Sequence, residues 1–418
     1  MTFAEQQKAL KDYVLGNYGR YDFWPVRGQG AEVWDVNGRR CLDFAGGVAV
    51  CPLGHCPPAV VEAISHQAAT LIHVSNWYGI GLQGELARLI VEDLVQIPGK
   101  CFFSNSGAEA NEGLIKLARR HGQSTGGRFE IISFTGSFHG RTFGAMTATA
   151  QEKIHGGFGP LPPGFVYSPF NDIAALEASI TERTAAILLE PIQGESGVNA
   201  VSPDFLRAAQ RLCRQHNLLL LLDEVQCGFG RAGEMMGWRA IVAGREIEPD
   251  AISWAKAIGS GYPLGAFWVN DRGGLPALLG PGTHGSTYGG SPLACAAALA
   301  TLREILRQGC CEKAREVGSF IAESVRSWAH PLVSQLRQYG LFIGFELNEQ
   351  ALQPILGGKT ASIAVAGELL ERGLLVTPAG PKVVRWLSPL NISREQAEEA
   401  LEIMRAQLDA LQNRLQAS

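Results

Sequence analysis

A carboxylate and a lysine each follow an apolar segment of this 418-residue chain, thirty-three positions apart. Asp223 comes directly after the five leucines 218–222, and Lys256 follows the short apolar segment 251–253. A wholly apolar run indicates a strand buried on both faces, and the carboxyl end of such a strand is where open α/β sheets bind ligands. We therefore expect both groups at one sheet edge, fixed in place and partly shielded from water.

This pair suits the chemistry of pyridoxal phosphate. A lysine can form a Schiff base with the aldehyde of that cofactor, and a carboxylate can keep its pyridine nitrogen protonated so that the ring acts as an electron sink. Lys256 and Asp223 are therefore predicted to be catalytic. On their own, they indicate Schiff-base chemistry without identifying a substrate.

A cradle for the cofactor phosphate is expected in the segment SNSGAE, residues 104–109. This segment opens an amphipathic helix predicted over 108–121, and Ser106 and Glu109 have the spacing of a capping box. Gly107 lets a ligand approach the backbone, and the helix dipole favours an anion at this end. An ordinary capped helix would explain the same residues.

Other polar segments also follow predicted strands. In the segment SFHGRT, Phe138 could stack on a flat ring and Arg141 could clamp a carboxylate, whereas His139 alone would be a packed or capping histidine. Glu195 lies in a loop after another apolar strand, and the hydroxyl-rich loop 283–290 precedes a helix. Turn chemistry alone could explain the last two segments.

Strand-like and helix-like segments alternate through most of the chain. The predicted strands are 129–134, 185–189, 218–222 and 264–269, and the predicted helices are 108–121, 203–216 and 292–307. The alternation predicts an α/β fold in which a mostly parallel sheet is covered by helices on both faces.

Three regions are expected along the chain. Residues 1–60 should form an N-terminal arm and part of a small domain, residues 61–310 the large cofactor-binding domain, and residues 311–418 the rest of the small domain. The elements predicted for the small domain are a hairpin over 32–44, a helix over 312–328, strands over 341–347 and 383–386, and a closing helix from 394 to about 412. The small domain is thus an α+β unit built from both termini.

Composition limits the classes of function. The net charge is −4 and no basic stripe stands out, so nucleic acid is not an expected partner. No apolar run approaches the roughly 20 residues of a membrane span, so no membrane is expected either. The nine cysteines are scattered without metal-ligand spacing and no signal peptide is visible, which predicts a cytoplasmic protein with free thiols and no metal site.

One motif supports a rival function. The segment GFGRAG, residues 228–233, matches the dinucleotide pattern G-x-G-x-x-G and would indicate an NAD-dependent dehydrogenase. That pattern requires the glycines to join a strand directly to a helix, whereas polar-led residues intervene here and no capped helix follows. A non-catalytic binding protein is a further alternative, but it would be expected to lack Lys256 or Asp223.

Five segments together carry a resemblance to a known family. SNSGAEAN, SFHGRT, LLDEVQCGFGR, WAKAIGSGYPLGA and THGSTYGGSPLACAAA resemble the class III (omega, subgroup II) aminotransferases of fold type I, from about residue 32 to the C-terminal helix. The resemblance implies the fold type I architecture, pyridoxal 5′-phosphate as cofactor and a homodimer with shared active sites. Within the family, LDFAGGVAV, HVSNWY and VRWLSPLNI most resemble the acetylornithine aminotransferases of arginine biosynthesis.

The resemblance also implies roles around the cofactor. Lys256 would bind the cofactor covalently and then shuttle a proton, while Asp223 would pair with the pyridine nitrogen. Phe138 would cover the ring and Gln226 would contact its hydroxyl side. The residues implied in phosphate binding are Ser106, Gly107, Ala108 and, from the second subunit, Thr287.

Substrate-binding roles are implied for a second set of residues. Arg141 and Ser286 would hold the carboxylate end of the amine donor, and Tyr78 would also contact the substrate. Arg385 would bind the α-carboxylate of glutamate, with Glu195 pairing to it as a gate when the donor lacks that group.

The predicted reaction is a ping-pong transfer of the terminal δ-amino group of N-acetylornithine to 2-oxoglutarate, giving N-acetylglutamate semialdehyde and glutamate. Another class III omega-aminotransferase, acting on succinylornithine, ornithine or 4-aminobutyrate, is the alternative. Pockets that differ by a few methylenes discriminate by only about 1–3 kcal/mol, which is too subtle a difference to read from sequence.

Overall fold

A computed structural model describes residues 1–417 of the chain. The strands are β1 (Pro25–Gln29), β2 (Glu32–Asp35), β3 (Arg40–Asp43), β4 (Gly99–Ser104), β5 (Glu130–Phe134), β6 (Phe165–Ser168), β7 (Thr184–Leu189), β8 (Ile192–Gln193), β9 (Asn199–Ala200), β10 (Leu219–Asp223), β11 (Ala251–Trp254), β12 (Gly265–Asn270), β13 (Val333–Tyr339), β14 (Phe342–Leu347), β15 (Leu374–Leu375), β16 (Thr377–Ala379) and β17 (Val383–Trp386).

The α-helices surround the sheets, and α2 is a single turn with left-handed residues in it. They are α1 (Phe3–Tyr13), α2 (Gly46–Ala49), α3 (Pro58–Thr70), α4 (Gly81–Arg88), α5 (Gly107–Ser124), α6 (Phe143–Ala148), α7 (Glu152–His155), α8 (Ile173–Ser179), α9 (Pro203–His216), α10 (Pro292–Arg307), α11 (Cys310–Trp328), α12 (Glu349–Leu352), α13 (Ala361–Glu371) and α14 (Arg394–Ala417).

A seven-stranded sheet lies at the centre, in the order β4-β12-β11-β10-β7-β5-β6. Strand β12 runs antiparallel to both neighbours, and the other adjacent pairs are parallel. Every residue of β5, β7 and β10 is buried, as expected for parallel strands covered on both faces. The predicted α/β class with a mostly parallel sheet is confirmed, and β5, β7, β10 and β12 each lie within one residue of their predicted bounds.

Sequence signals at the helix ends explain why α9 and α10 have the predicted bounds. Ser202 and Ser291 are N-cap residues whose side chains accept a backbone hydrogen bond from the first turn, and proline follows each of them. Helix α9 ends at Asn217, whose left-handed conformation stops the helix. Helix α5 begins one residue earlier and ends three residues later than predicted.

The termini contribute two smaller sheets. In the first, β1, β2 and β3 form an antiparallel meander, and β15 from the C-terminal part pairs in parallel with β3. The second sheet is antiparallel, with the order β13-β14-β17-β16. Domain boundaries at residues 60 and 310 stay predictions. Within the described residues, no helix is long and apolar enough to cross a membrane.

The carboxyl edge of the central sheet brings the predicted chemistry together. Strands β10 and β11 are parallel neighbours, and Asp223 at the end of β10 stands in register with Ser253 of β11. Lys256 comes two residues after β11 ends, so the lysine and the carboxylate lie at the same edge.

Candidate active site

Lys256 lies in a strained turn that points its amine into a cavity. Its backbone has φ 50, in the left-handed region that a residue with a side chain rarely adopts, and it begins a short 3-10 turn. Burial lowers the pKa of the Lys256 amine below its usual value, opposed by Glu195 and assisted by Arg385. A lowered pKa leaves more of the amine uncharged, which is the form that attacks a carbonyl carbon.

Three donors hold the carboxylate of Asp223. One of its oxygens accepts from Nδ2 of Asn111 and from Nδ1 of His139, each at 2.7 Å, and the other accepts from the backbone N–H of Val225 at 3.0 Å. Asn111 is itself oriented by the hydroxyl of Ser253, which donates to its Oδ1 at 2.6 Å. These bonds fix the position and the direction of the carboxylate.

His139 and Asn111 are additions to the sequence-based picture of this site. His139, which on its own would have been a packed or capping histidine, is buried and bonds directly to the Asp223 carboxylate, and Asn111 was not singled out at all. The only signal for Asn111 was its position in the first turns of α5, where it follows the phosphate segment.

A cavity of about 260 Å³ joins most of the predicted cofactor residues. Its lining includes Gly107, Ala108, Asn111, Phe138, His139, Arg141, Glu190, Asp223, Gln226 and Lys256. Seven of these residues were predicted site residues, and Asn111, His139 and Glu190 are additions from the structure.

The N-terminus of α5 faces this cavity. Ser106 accepts from the N–H of Glu109 at 3.2 Å, as predicted, but the Glu109 carboxylate accepts from the N–H of Asn105 at 2.6 Å instead of closing the expected capping box on Ser106. Gly107 and Ala108 are in the first turn, where an α-helix supplies no carbonyl for the N–H groups. A Cβ at Gly107 would lie only 2.8 Å from Cγ1 of Val225, so the close approach requires glycine.

A buried arginine and a glutamate, for which a gate was predicted, form an ion pair. Nη1 of Arg385, on β17, donates to Oε1 of Glu195 at 2.9 Å, and its Nε donates to the Thr377 hydroxyl at 3.1 Å. Burial alone would raise the pKa of Glu195, but the positive charges of Arg385 and Lys256 more than offset it and hold that pKa below its usual value. The Glu195 carboxyl is thus ionised near neutral pH.

Gln226 forms hydrogen bonds to both members of this ion pair. Its Oε1 accepts from Arg385 at 2.6 Å and its Nε2 donates to Glu195 at 3.2 Å. It was predicted to contact the hydroxyl side of the ring, and it does line the cofactor cavity. Gly194 permits this position, because a Cβ there would meet Oε1 of Gln226 at 2.0 Å.

Glu190 positions the segment that carries Phe138. Its carboxylate accepts from the N–H of Phe138 at 2.9 Å. Burial, with the charge of Asp223 nearby, raises the pKa of Glu190 well above its usual value. A raised pKa favours the protonated, uncharged form of Glu190, which would limit the negative charge in the cavity.

Four predicted substrate or phosphate residues lie at or beyond the edge of this cavity. Arg141 is exposed at its mouth, with its guanidinium carbon 5.7 Å from the ring centre of Phe138. Ser286 and Thr287 line a different cavity, of about 920 Å³, and Tyr78 is 67% exposed. Their predicted roles, including the donation of Thr287 to a second subunit, stay predictions.

Comparison with known proteins decides the family. The family model described as Aminotransferase class-III matches residues 16–408. The chain belongs to the class III aminotransferases. Acetylornithine aminotransferase of Caldanaerobacter subterraneus is 44% identical to this class III aminotransferase, over 94% of this chain and 96% of its own length.

Solved structures agree with that family. Ornithine aminotransferase from Toxoplasma gondii, with pyridoxal phosphate at partial occupancy in its active site, has a TM-score of 0.90 and 30% identity over 99% of this chain and 96% of its own. Acetylornithine aminotransferase from Elizabethkingia anophelis has a TM-score of 0.83 and 30% identity, over 97% of this chain and 98% of its own. The cofactor of this class III aminotransferase is pyridoxal phosphate.

The residues present fit that cofactor. The helix terminus at Gly107 offers free N–H groups for a phosphate, and three hydrogen-bond donors fix the Asp223 carboxylate at the same cavity. Lys256 supplies a buried amine of lowered pKa on the third side. The cavity therefore has one group for each functional end of pyridoxal phosphate: its phosphate, its ring nitrogen and its aldehyde.

Proposed function

We propose that this class III aminotransferase transfers the terminal amino group of N-acetylornithine to 2-oxoglutarate. The observation that carries the proposal is the ion pair of Arg385 and Glu195 beside Lys256, bridged by Gln226. The 44% identity to an acetylornithine aminotransferase over nearly the whole chain supports the same substrate.

The gate answers a chemical conflict between the two half-reactions. A terminal-amine donor presents no carboxylate next to its reacting carbon, whereas glutamate does. With Glu195 on Arg385, the site offers no free cation to a carboxylate next to the reacting carbon. When glutamate or 2-oxoglutarate enters, its carboxylate replaces Glu195, and the buried arginine keeps an anionic partner in both states.

Lys256, Asp223 and Phe138 are proposed to act on the bound cofactor. When bound, pyridoxal phosphate supplies a carbonyl that condenses with amines and a ring that accepts electrons. Lys256 then carries the proton between the substrate carbon and the cofactor, since its amine is the base in the cavity with a lowered pKa. Asp223 keeps the ring nitrogen protonated, and Phe138 covers the ring.

Arg141 is the proposed anchor for the far end of the amine donor. It lies at the mouth of the cavity and is exposed, so its guanidinium is free to form a bidentate pair with the α-carboxylate of N-acetylornithine. Ser286 and Tyr78 are proposed to complete this subsite. A homodimer is proposed because these two residues and Thr287 lie outside the cavity of their own chain.

A cytoplasmic location is also proposed. The nine cysteines are free thiols, which suits a reducing compartment.

Ornithine is the second candidate donor. Its support is the TM-score of 0.90 to the ornithine aminotransferase of Toxoplasma gondii, which exceeds that to the acetylornithine aminotransferase of Elizabethkingia anophelis. Both donors present a terminal amine to Lys256 and differ only in whether the α-amino group is acylated.

A half-reaction panel tests the proposal. The purified holoenzyme is mixed with N-acetylornithine, succinylornithine, ornithine or 4-aminobutyrate, and the loss of the cofactor absorbance band is followed by stopped flow. We expect the largest second-order rate constant for N-acetylornithine, and recovery of the band on adding 2-oxoglutarate. A larger constant for ornithine or 4-aminobutyrate would reject the proposed donor while leaving the family assignment intact.

A further inference from the structure

The segment GFGRAG, which resembles a dinucleotide loop, is buried in the protein interior and contains an unusual arginine. Arg231 is 2% exposed, and its side chain bonds to two backbone carbonyl oxygens instead of to a carboxylate. Its second terminal nitrogen has no partner among residues 1–417. Burial lowers the pKa of Arg231 to about 9. Burying a guanidinium in this way is costly, so packing alone does not account for an arginine here.

The two acceptors lie at the end of the strand pair that carries Arg385. Strands β14 and β17 are antiparallel, with Ile343 opposite Trp386 and Gly344 opposite Arg385. Continuing this register by two residues places Leu341 opposite Ser388. Nη1 of Arg231 donates to the carbonyl of Leu341 at 3.0 Å and to that of Ser388 at 2.6 Å. One guanidinium nitrogen therefore links the two strands just beyond the last pair of residues joined by the β-sheet hydrogen bonds.

The backbone of the loop also contacts this strand end. The N–H of Leu341 donates to the carbonyl of Arg231 at 3.1 Å. Gly340, with φ 54, permits the approach, because a Cβ there would lie 2.5 Å from the nitrogen of Gly233. A Cβ at Gly230 would likewise meet Leu390 at 2.8 Å. Gly230 and Gly340 therefore allow the close approach of this loop to the segments that flank β14 and β17.

The other end of the loop begins at the active site. Gln226, five residues before Arg231, bonds to Arg385 and Glu195, and Asp223 precedes it at the end of β10. The loop thus links the cofactor-binding edge of the central sheet to the strand that bears Arg385.

We propose that Arg231 is a positioning residue for Arg385: by fixing the ends of β14 and β17 to the loop after β10, it sets the place of the Arg385 guanidinium relative to Lys256. This proposal rests on the proposed role of Arg385 as the site for the α-carboxylate of glutamate. The terminal-amine donor does not use Arg385, so the loss of Arg231 affects one half-reaction far more than the other.

Arg231→Met tests the proposal, because it keeps an unbranched apolar stem and removes both hydrogen bonds. The two half-reactions of the holoenzyme are measured separately by cofactor absorbance. We expect the half-saturating concentration of glutamate to rise about ten- to a hundredfold, as for the loss of hydrogen bonds from a charged donor. The half-saturating concentration and maximal rate with N-acetylornithine should change less than about threefold.

Arg239→Met is the matched control. Arg239 also donates to two backbone carbonyls, those of Leu94 at 2.8 Å and Val95 at 2.5 Å, but these belong to the helical segment Leu89–Val95 and not to the ends of β14 and β17. We expect this variant to leave the ratio of the two half-reactions unchanged. Arg231→Lys, which keeps the charge and one donor group, should show a smaller glutamate defect, and it takes over the test if the methionine variant does not fold.

The outcomes separate this inference from the proposed function. If the Arg231 variants lose substrate affinity or rate equally in both half-reactions, or lose neither in either half-reaction, the positioning role is overturned. Arg385→Met is measured in parallel, and unchanged glutamate affinity in that variant would instead overturn the proposed carboxylate site. A rise in the half-saturating concentration of glutamate alone, in both the Arg231 and the Arg385 variants, supports both the positioning role of Arg231 and the carboxylate site at Arg385.

Discussion

Asp223 depends on two neighbouring side chains for its orientation. Asn111 and His139 each form one short hydrogen bond to the same oxygen of its buried carboxylate. The carboxylate proposed to contact the ring nitrogen is therefore held by side chains from other elements, and a change in either of them is expected to alter its function.

We predict that His139→Ala lowers kcat about ten- to a hundredfold, because a hydrogen bond to a charged group contributes roughly 1.5–3 kcal/mol. His121→Ala is the matched control: that histidine is also largely buried, and its Nε2 lies 3.0 Å from the carbonyl of Asn217, away from the cofactor. Steady-state rates and the absorbance maximum of the bound cofactor are measured for both. Equal losses of kcat in the two variants would show that His139 acts only through packing.

Glu224 provides a pH-dependent prediction. Burial raises the pKa of this carboxyl to about 7, although the backbone N–H of Trp238 donates to it at 2.6 Å. The folded state then binds a proton more tightly than the unfolded chain, so the contribution of Glu224 to stability is fully present below about pH 4.5 and is lost as pH rises through about 7.

We therefore expect wild-type stability to fall relative to that of Glu224→Gln, by roughly 3 kcal/mol between pH 5 and pH 8. Glutamine keeps an acceptor and cannot ionise. Urea unfolding of both proteins at the two pH values gives the difference. A difference that stays constant with pH would mean that the carboxyl titrates at its ordinary pKa.

Residues that directly follow apolar runs could be found from the sequence, and their partners could not. Asp223 and Lys256 are marked by the strands before them, whereas Asn111 is 112 positions from Asp223 and becomes its neighbour only in the fold. Arg385 and Glu195 are 190 positions apart, and only the family resemblance joined them before the structure did.

At the scale of elements, predictability follows burial. Strands β7 and β10 are buried along their whole length, so their sequences are continuous apolar runs with clear limits. Strands β6 and β13 are partly exposed, carry mixed residues and were not predicted. Helices α9 and α10 begin at a Ser-Pro pair, which locates an N-terminus to the residue.

The N-terminus of α5 provides a prediction about cofactor binding. We expect Gly107→Ala to weaken pyridoxal phosphate binding about ten- to a hundredfold, because the added methyl group would be overpacked against Val225 and would shift the phosphate-binding turn. The apparent dissociation constant is measured by titrating the apoenzyme with cofactor. Gly81→Ala, at the start of α4 with no atom within 4 Å of the new Cβ, should leave this constant unchanged. Equal affinity in the two variants would contradict the proposed phosphate cradle.

At the scale of the whole molecule, the predicted site residues of one chain lie in two separate cavities. Lys256 and Asp223 share the cofactor cavity, while Thr287 lines the separate cavity beside Trp77. Trp77 is 92% exposed and Tyr288 is 67% exposed, and such large exposed side chains mark a surface for protein contact. Asn76 ties the two segments together by donating to the carbonyls of Ser286 and Gly289. We propose that a second copy of the chain docks on this surface.

A mixing experiment tests the shared site. Lys256→Ala and Thr287→Ala each impair every site of a homodimer. In a hybrid dimer, however, the chain that retains Lys256 receives the intact Thr287 of its partner if this residue crosses the interface. We therefore predict that the two variants, mixed under conditions that exchange subunits, recover activity that neither has alone. Mixing Lys256→Ala with Asp223→Ala should recover none, because both residues serve the cavity of their own chain. Failure of the first mixture, with subunit exchange verified by mass spectrometry, would place Thr287 in the site of its own chain.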